Sequence, residues 1–350
     1  MRIARRTAAL LLGSAVGLSM LGGAARAAEQ GTVYYMIPTL LDEFQTESQK
    51  AIERVFGEMG YKVTSLDAQN RADLQLNQME DVINLKPDAI ILAAVDFDAI
   101  VPAVEKARAA GIKVMVFDRQ IRSTPFELTS VAGTIEIGKL SAGEAIRLLK
   151  ERHGSAKGKI LQIAGDPGDN YSLDIGKGFD ERMAAEAPDV EIITKATLLW
   201  EPTNAAKIFE DQLLVNSDID LVFTHSSHLT VPIVSLMESK GLKPGDMLLI
   251  SATGMPVGLD NIRKGWEQAE IEQPTYAQVY GLAMFTPKIL RGEKLEPGTY
   301  DVIGLPSELT IEEWGPNLKI PGAVITKENV DDKRFWGNLA VPNTPVAVVP

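Results

Sequence analysis

An alternation of short apolar runs with amphipathic stretches constrains the fold of this chain more than any other feature of its sequence. The apolar runs in the first part of the chain occupy residues 32–37, 62–66, 88–92 and 113–117. Between them, apolar residues recur at helical spacing, as they do across residues 73–85. Strands that alternate with helices in this way predict a parallel sheet covered by helices on both faces.

The same alternation restarts in the second half of the chain, with apolar runs at residues 159–163, 191–198, 220–223 and 247–250. We interpret the restart as a duplicated fold, an α/β protein with two doubly wound parallel-sheet lobes. No Pro- or Ser-rich linker separates the halves, so we expect a hinge near Gly133 rather than a tether.

The duplication also sets the expected domain boundaries. The first lobe should comprise residues 28–132 plus about 273–302, and the second residues 133–272 plus about 303–325. Residues 326–350 should form a C-terminal tail that packs over the lobes.

Residues 1–27 have the features of a secretory signal peptide. Arg2, Arg5 and Arg6 precede an apolar segment at residues 7–21, and the small-x-small pattern of residues 25–27 predicts cleavage after Ala27. The apolar segment is too short for a comfortable membrane anchor. The adjacent arginines leave the twin-arginine export route open beside the general one.

Charge and cysteine content narrow the class of protein further. The net charge is −12, and loss of the four arginines in the leader takes it to −16. An acidic chain without a basic cluster is a poor candidate for nucleic-acid binding. The chain has no cysteine, so it has neither a disulfide nor a cysteine-linked lipid anchor. We expect a free, soluble, monomeric protein of the bacterial periplasm.

The inventory of catalytic groups is thin. No Gly-x-Ser-x-Gly motif occurs, and the Gly165-Asp166-Pro167-Gly168 loop lacks the pattern of a dinucleotide or phosphate-binding loop. His225 and His228 are spaced as a metal pair would be, but no third ligand accompanies them, which favours a structural role at a strand end. We therefore expect no enzyme activity, no cofactor and no metal.

Polar and aromatic side chains instead gather where predicted strands end. Asp118 and Arg119 directly follow the buried run at residues 113–117. Alone, such a pair is a common surface ion pair, and an isolated Trp200 is more often a core residue. In open parallel sheets, however, ligands bind outside the carboxyl ends of the strands, and two facing lobes would bring these ends to one cleft. Flat aromatic rings with carboxylate and guanidinium groups suit a sugar or polyol.

The mature chain resembles the type I periplasmic sugar-binding proteins of ABC importers, specifically the ribose- and xylose-binding group. The resemblance covers nearly the whole length, and its landmarks are residues 111–119, 165–170, 200–205, 251–254, 273–274, 326–331 and 336–338. It implies a two-lobed fold that captures a small sugar, polyol or modified sugar by hinge closure. It also implies a membrane permease as partner, which residues alone do not indicate.

The resemblance assigns roles to individual positions. Asp118 and Arg119 correspond to the family's clamp on sugar hydroxyls, Phe44 and Trp200 to its stacking aromatics, and Gln273 to a side chain that reaches in from the hinge. The full set of expected ligand-binding residues is Glu43, Phe44, Asp118, Arg119, Tyr171, Trp200, Ser226, Thr253 and Gln273.

Several positions depart from the family pattern. Glu43 stands where an aromatic residue is usual, Ser226 replaces an Asn, and Thr253 replaces an Asp that binds hydroxyls. A polyol, a deoxy sugar or a modified sugar therefore suits the site better than plain ribose or xylose. A chemoreceptor or quorum-signal component on the same fold remains the alternative, and a secreted sugar-processing enzyme is a weaker one. A sugar-responsive repressor would need a DNA-binding headpiece where the leader stands.

Overall fold

The computed structural model describes residues 30–350 of the chain. The predicted signal peptide and its cleavage site after Ala27 lie outside the described residues. Within residues 30–350 no helix has the length and apolar character needed to cross a bilayer.

The described chain alternates strands and helices through most of its length. The strands are β1 (Gly31–Ile37), β2 (Tyr61–Asp67), β3 (Ala89–Leu92), β4 (Lys113–Phe117), β5 (Leu128–Ala132), β6 (Gly158–Ala164), β7 (Val190–Ala196), β8 (Leu221–Thr224), β9 (Leu248–Thr253), β10 (Ala269–Glu272), β11 (Gly298–Val302), β12 (Leu305–Glu312), β13 (Gly315–Ile320) and β14 (Val324–Ile325). The helices are α1 (Glu43–Glu58), α2 (Ala72–Leu85), α3 (Val101–Ala109), α4 (Thr134–His153), α5 (Asn170–Glu186), α6 (Pro202–Val215), α7 (Thr230–Ser239), α8 (Pro256–Lys264) and α9 (Thr275–Leu290).

The strands form two sheets, one in each lobe. The first has the order β11-β12-β13-β5-β4-β3-β1-β2, and the second has the order β14-β10-β9-β8-β6-β7. Pairing is parallel except at β11, β12 and β14, which sit at one edge of each sheet. Two α/β lobes built on parallel sheets confirm the predicted architecture.

Each central strand of the first sheet is buried on both faces, as its nearly continuous apolar sequence requires. In β3, Ile91 packs under α1 and α9, whereas its neighbour Ile90 packs with α2 and α3. The two helical layers thus cover opposite faces of the sheet. This arrangement leaves only the strand ends open to bind a ligand.

The prediction that residues 303–325 join the second lobe is wrong for most of that range. Strand β12 pairs with β11 through the tight turn at Ile303 and Gly304, both of which have left-handed φ angles. A hairpin keeps the chain on the same sheet, and β13 then pairs with β5 in the first lobe. Only β14 reaches the second sheet, where it pairs with β10.

Three segments cross between the lobes. They lie at Gly133, at Gln273 and between β13 and β14, and they are hydrogen-bonded to one another in pairs. The Gly133 nitrogen donates to the Ile320 oxygen at 2.9 Å, and the Glu272 nitrogen donates to the Ala323 oxygen at 2.8 Å. Three adjacent crossings of this kind form a hinge about which two lobes can rotate.

The C-terminal tail contacts both lobes. Val330 and Phe335 pack with Leu259 and Ile262 of α8 in the second lobe. Beyond the short 3₁₀ turn Trp336–Asn338, the tail runs along α9 in the first lobe, where the Val349 nitrogen donates to the Met284 oxygen at 3.0 Å. The tail is therefore a fourth connection across the hinge.

Candidate functional site

A small cavity of about 30 Å³ lies between the carboxyl ends of the two sheets. This volume is well below the range of about 300–1,000 Å³ for small-molecule sites in proteins. The residues that line it are Asp42, Phe44, Gln45, Asp118, Arg119, Asp169, Tyr171, Trp200, Ser226, His228, Thr253, Met255 and Gln273. Both lobes and the hinge contribute side chains, so a ligand here would contact all three.

Eight of the nine residues expected to bind ligand line this cavity, and Glu43 does not. Asp42 is the N-cap of α1, where its carboxylate accepts a hydrogen bond from the Gln45 nitrogen at 2.9 Å. Because each helical residue is rotated about 100° from the last, Phe44 and Gln45 face the cleft and Glu43 faces solvent at its rim. The expectation that Glu43 lines the cavity is therefore wrong, and its neighbour Asp42 lines the cavity instead.

Asp118 is buried at the centre of the first-lobe half of the site. The side-chain amide of Gln45 donates to Asp118 Oδ2 at 3.0 Å, and the amide of Gln273 donates to Asp118 Oδ1. One donor comes from α1 and the other from the hinge, so the carboxylate is fixed from two directions. Each of its oxygens keeps lone-pair capacity for a further donor.

Arg119 links the two lobes across the cavity. Its Nε lies 3.2 Å from Asp169 Oδ2 in the second lobe and 3.9 Å from Asp118 Oδ2 in the first. Its Nη1 donates to the Ala94 oxygen at 3.2 Å. The Asp118–Arg119 pair is therefore a buried, cross-lobe group and not surface decoration.

Burial, followed by the nearby Asp169 carboxylate, raises the pKa of Asp118 to about 7. Arg119 and the two amides lower the pKa but do not offset the burial. Burial likewise raises the pKa of Asp169, although Arg119 and hydrogen bonds oppose the shift. A carboxyl group that is costly to ionise and faces a cavity is typical of a functional site.

Trp200 and Tyr171 form the aromatic wall of the second lobe, with ring centroids 6.0 Å apart. The Trp200 indole nitrogen donates to Asp169 Oδ2 at 3.2 Å. The ring packs directly on Gly165, where a Cβ would come within 1.9 Å of it. The Tyr171 hydroxyl is buried near the Thr253 side chain, and no hydrogen bond of good geometry is made to it among residues 30–350.

A chain of hydroxyl groups completes the second-lobe wall. Thr253 Oγ1 donates to Ser226 Oγ at 3.0 Å, and Ser226 Oγ lies 2.9 Å from His228 Nδ1. His228 Nε2 lies 2.9 Å from the Trp200 carbonyl oxygen, which can only accept. His228 Nε2 therefore carries a proton and donates it, whereas Nδ1 shares one hydrogen bond with Ser226 Oγ.

Three cavity residues have left-handed backbone conformations. The φ angles are 65° at Asp118, 58° at Trp200 and 95° at Thr253. This region is unfavourable for residues with a Cβ, and especially for a β-branched threonine. Such conformations concentrate at binding and catalytic sites, where surrounding structure holds them in place.

Five cavity residues were absent from the expected set, namely Asp42, Gln45, Asp169, His228 and Met255. Asp42 stands directly before a predicted helix, where an N-cap residue is expected, and Gln45 lies one helical turn after it. Both positions could therefore have been recognised from the sequence. Asp169 likewise caps α5. Both histidines were expected to be structural: His225 is buried against Gln162 and Ser172, and His228 holds the Trp200 carbonyl while it also lines the cavity.

A family model for the periplasmic binding protein domain matches residues 33–294, which is most of the chain. The chain belongs to the periplasmic binding protein family. Members are solute-binding proteins of the periplasm and not enzymes. Within residues 30–350, no group of three or more His, Cys, Asp or Glu side chains is arranged to hold a metal ion.

Curated relatives of this periplasmic binding protein bind several kinds of sugar or polyol. A ribose import binding protein of Bacillus subtilis is 26% identical over 242 residues, which cover 69% of this chain and 76% of that protein. A D-apiose import binding protein of Actinobacillus succinogenes is 24% identical, covering 81% and 89%. A xylitol-binding protein of Mycolicibacterium smegmatis is 25% identical, covering 76% and 73%.

Solved structures of solute-binding proteins share the fold. An Agrobacterium radiobacter protein in complex with D-arabinose superposes with a TM-score of 0.76 at 18% identity, covering 89% of this chain and 99% of that chain. A Bacillus halodurans protein with bound myo-inositol gives 0.74 at 21% identity, covering 87% and 97%. At these identities the likeness concerns the fold alone.

Proposed function

We propose that this protein captures a sugar-like polyhydroxylated ligand in the cavity between its lobes and delivers it to the membrane permease of an ABC importer. The observation that carries the proposal is the geometry of Asp118, which accepts hydrogen bonds from α1 and from the hinge while Arg119 reaches across to Asp169. A carboxylate and a guanidinium fixed in this way accept and donate hydrogen bonds to adjacent hydroxyl groups.

The aromatic rings support the same class of ligand. Phe44 and Trp200 enter the cavity from opposite lobes, and the C–H face of a sugar ring stacks well against aromatic surfaces. The relatives that bind ribose, D-apiose and xylitol, and the neighbours solved with D-arabinose and myo-inositol, are consistent with a ligand of this class.

Ligand capture would proceed by closure of the lobes about the three hinge crossings. Contacts made to both lobes stabilise the closed form relative to the open one, because an open cleft satisfies only half of them. We further propose that the chain is exported by its leader, cleaved after Ala27 and monomeric in the periplasm. A role in chemoreception would use the same closed form with a different membrane partner.

Thermal unfolding of the purified mature protein in the presence of sugars, polyols and cyclitols tests the proposal. A true ligand at about one hundred times its dissociation constant adds roughly 2.7 kcal/mol to the free energy of unfolding, and so raises the midpoint clearly. The Asp118→Ala variant should fold and lose this response. An unchanged affinity in that variant, measured by calorimetry, would contradict the assigned site.

A further inference from the structure

The cavity lining is rich in hydrogen-bond acceptors and has more carboxyl groups than cationic side chains. Three carboxyl groups line it, those of Asp42, Asp118 and Asp169, whereas Arg119 is the one lysine or arginine among the described lining residues. Arg119 is already paired with Asp169 at 3.2 Å. It also lies 3.9 Å from Asp118, so one cation is shared between two carboxyl groups.

The second-lobe hydroxyls add to this excess of acceptors. Thr253 donates to Ser226, and Ser226 shares a hydrogen bond with His228 Nδ1, so the Thr253 proton is used within the protein. The Thr253 oxygen presents only lone pairs to the cavity. A hydroxyl group offers one donor to such a surface, whereas an ammonium group offers three and brings a compensating charge.

The unpartnered Tyr171 hydroxyl is the independent sign that a ligand belongs here. It is at least nine-tenths buried, it belongs to the cavity lining, and no residue of the described chain makes a hydrogen bond of good geometry with it, although the Thr253 side chain lies close by. A buried hydroxyl without a partner is costly, so a ligand group is needed to satisfy it. The raised pKa of Asp118 is further consistent with a buried carboxylate that lacks a full counter-charge.

Acidic groups also surround the entrance. Glu43 lies at the rim, and its pKa is raised by partial burial first and then by Glu47 of the same helix and Asp260 of the second lobe. Carboxylates from both lobes thus crowd one edge of the cleft. Such a field draws cations toward the opening and repels anions.

We propose that the preferred ligand of this site is a sugar or polyol that carries a protonated amine, with the ammonium group bound between Asp118 and Asp42. This inference rests on the proposed function and specifies its substrate class. The remaining hydroxyls of the ligand meet Arg119, Tyr171, Ser226 and the lone pairs of Thr253.

Matched pairs of ligands test the amine directly. Binding of the mature protein to D-glucose and D-glucosamine, D-galactose and D-galactosamine, and myo-inositol and an aminodeoxyinositol is measured by calorimetry below the pKa of the amines. We expect the amine of at least one pair to bind about tenfold or more tightly than its neutral partner, since hydrogen bonds to charged groups are roughly twice as strong as neutral ones.

Variants locate the effect at the proposed carboxylates. Asp42→Asn keeps a residue that caps helix α1 well and should reduce the amine preference, as should Asp118→Asn. Asp73→Asn, at an exposed carboxylate in the first turn of α2, is the matched control and should leave the preference intact.

Two outcomes overturn the proposal in distinguishable ways. If a neutral sugar or polyol binds as tightly as its amine in every pair, the amine is wrong and the capture of polyhydroxylated ligands stands. If no sugar, polyol or amine raises the unfolding midpoint in the wider screen, the proposed function fails and this inference fails with it.

Discussion

The indole nitrogen of Trp336 donates a hydrogen bond to the main-chain oxygen of Thr253 at 2.8 Å. The same oxygen accepts from the Gln273 nitrogen at 3.1 Å, so two donors hold a threonine whose φ is 95°. The Trp336 ring also packs edge-on against Phe44 in the first lobe, with centroids 5.7 Å apart. A residue of the C-terminal tail thus positions one cavity residue in each lobe.

Trp336→Phe should weaken ligand binding more than it weakens the fold. The variant keeps an aromatic ring beside Phe44 but loses the bond to Thr253, which costs about 1 kcal/mol of stability as one neutral hydrogen bond. The strained Thr253 should then relax and change the second-lobe wall. Affinity by calorimetry and the unfolding midpoint are compared with Trp266→Phe, whose tryptophan lies in the second-lobe core. Equal losses of affinity in both variants would contradict the positioning role.

Gly165→Ala should displace the Trp200 ring into the cavity. The added methyl group would lie 1.9 Å from the indole, and so the ring has to move. Overpacking of this kind costs about 1–3 kcal/mol and should also reduce affinity. Gly57→Ala in α1 is the control, because its Cβ meets nothing within 4 Å. That control should stabilise the helix by roughly 0.5–1 kcal/mol and leave binding unchanged.

The stability that three buried carboxyl groups contribute should fall as pH rises from about 4.5, where the unfolded chain loses these protons, to about 8, where the folded state loses the last of them. Burial raises the pKa of Glu270 to about 8 and that of Glu272 to about 7, as it does for Asp118. The folded state therefore holds protons that the unfolded state releases, and this stability is lost as pH passes through the raised values.

His225 acts in the opposite direction at lower pH. Burial lowers its pKa to about 3, so its contribution is present above its unfolded pKa of roughly 6.5 and is lost as pH falls through the range down to about 3. Thermal unfolding of the ligand-free protein, measured across this pH range, checks the loss of stability due to the carboxyl groups as pH rises and the loss due to His225 as pH falls. Glu270→Gln should flatten the decline between about pH 4.5 and pH 8, and an unaltered slope would argue against its role.

Ligand binding should release a proton from Asp118 when the pH lies below its pKa of about 7. A ligand that donates to this carboxylate, or places an ammonium beside it, stabilises the ionised form and lowers its pKa. Calorimetry in buffers of different ionisation enthalpy measures the released protons. The number should approach one per ligand on the acid side and zero on the alkaline side, whereas a pH-independent value would exclude Asp118 as the linked group.

Part of the fold and the site is already determined by the sequence. The spacing of apolar residues and the breaks between apolar runs identify most strands of both lobes, because a buried parallel strand must be continuously apolar. The ends of those strands predict where polar groups lie, and Asp118, Arg119, Trp200 and Thr253 all reach the cavity in this way. A local pattern is sufficient here since the carboxyl ends of parallel strands share one edge of a sheet.

Only the tertiary structure decided the remainder. Strand β5 has the sequence Leu-Thr-Ser-Val-Ala, which is too polar to indicate a buried strand, yet Ser130 donates to the Gln278 oxygen of α9 at 2.8 Å. The lobe that receives β12 and β13 depends on long-range pairing, as do the cross-lobe pair of Arg119 with Asp169 and the contact of Trp336 with Thr253. Contacts between residues far apart in sequence leave no periodic trace in it, and they determine the polarity of the cavity.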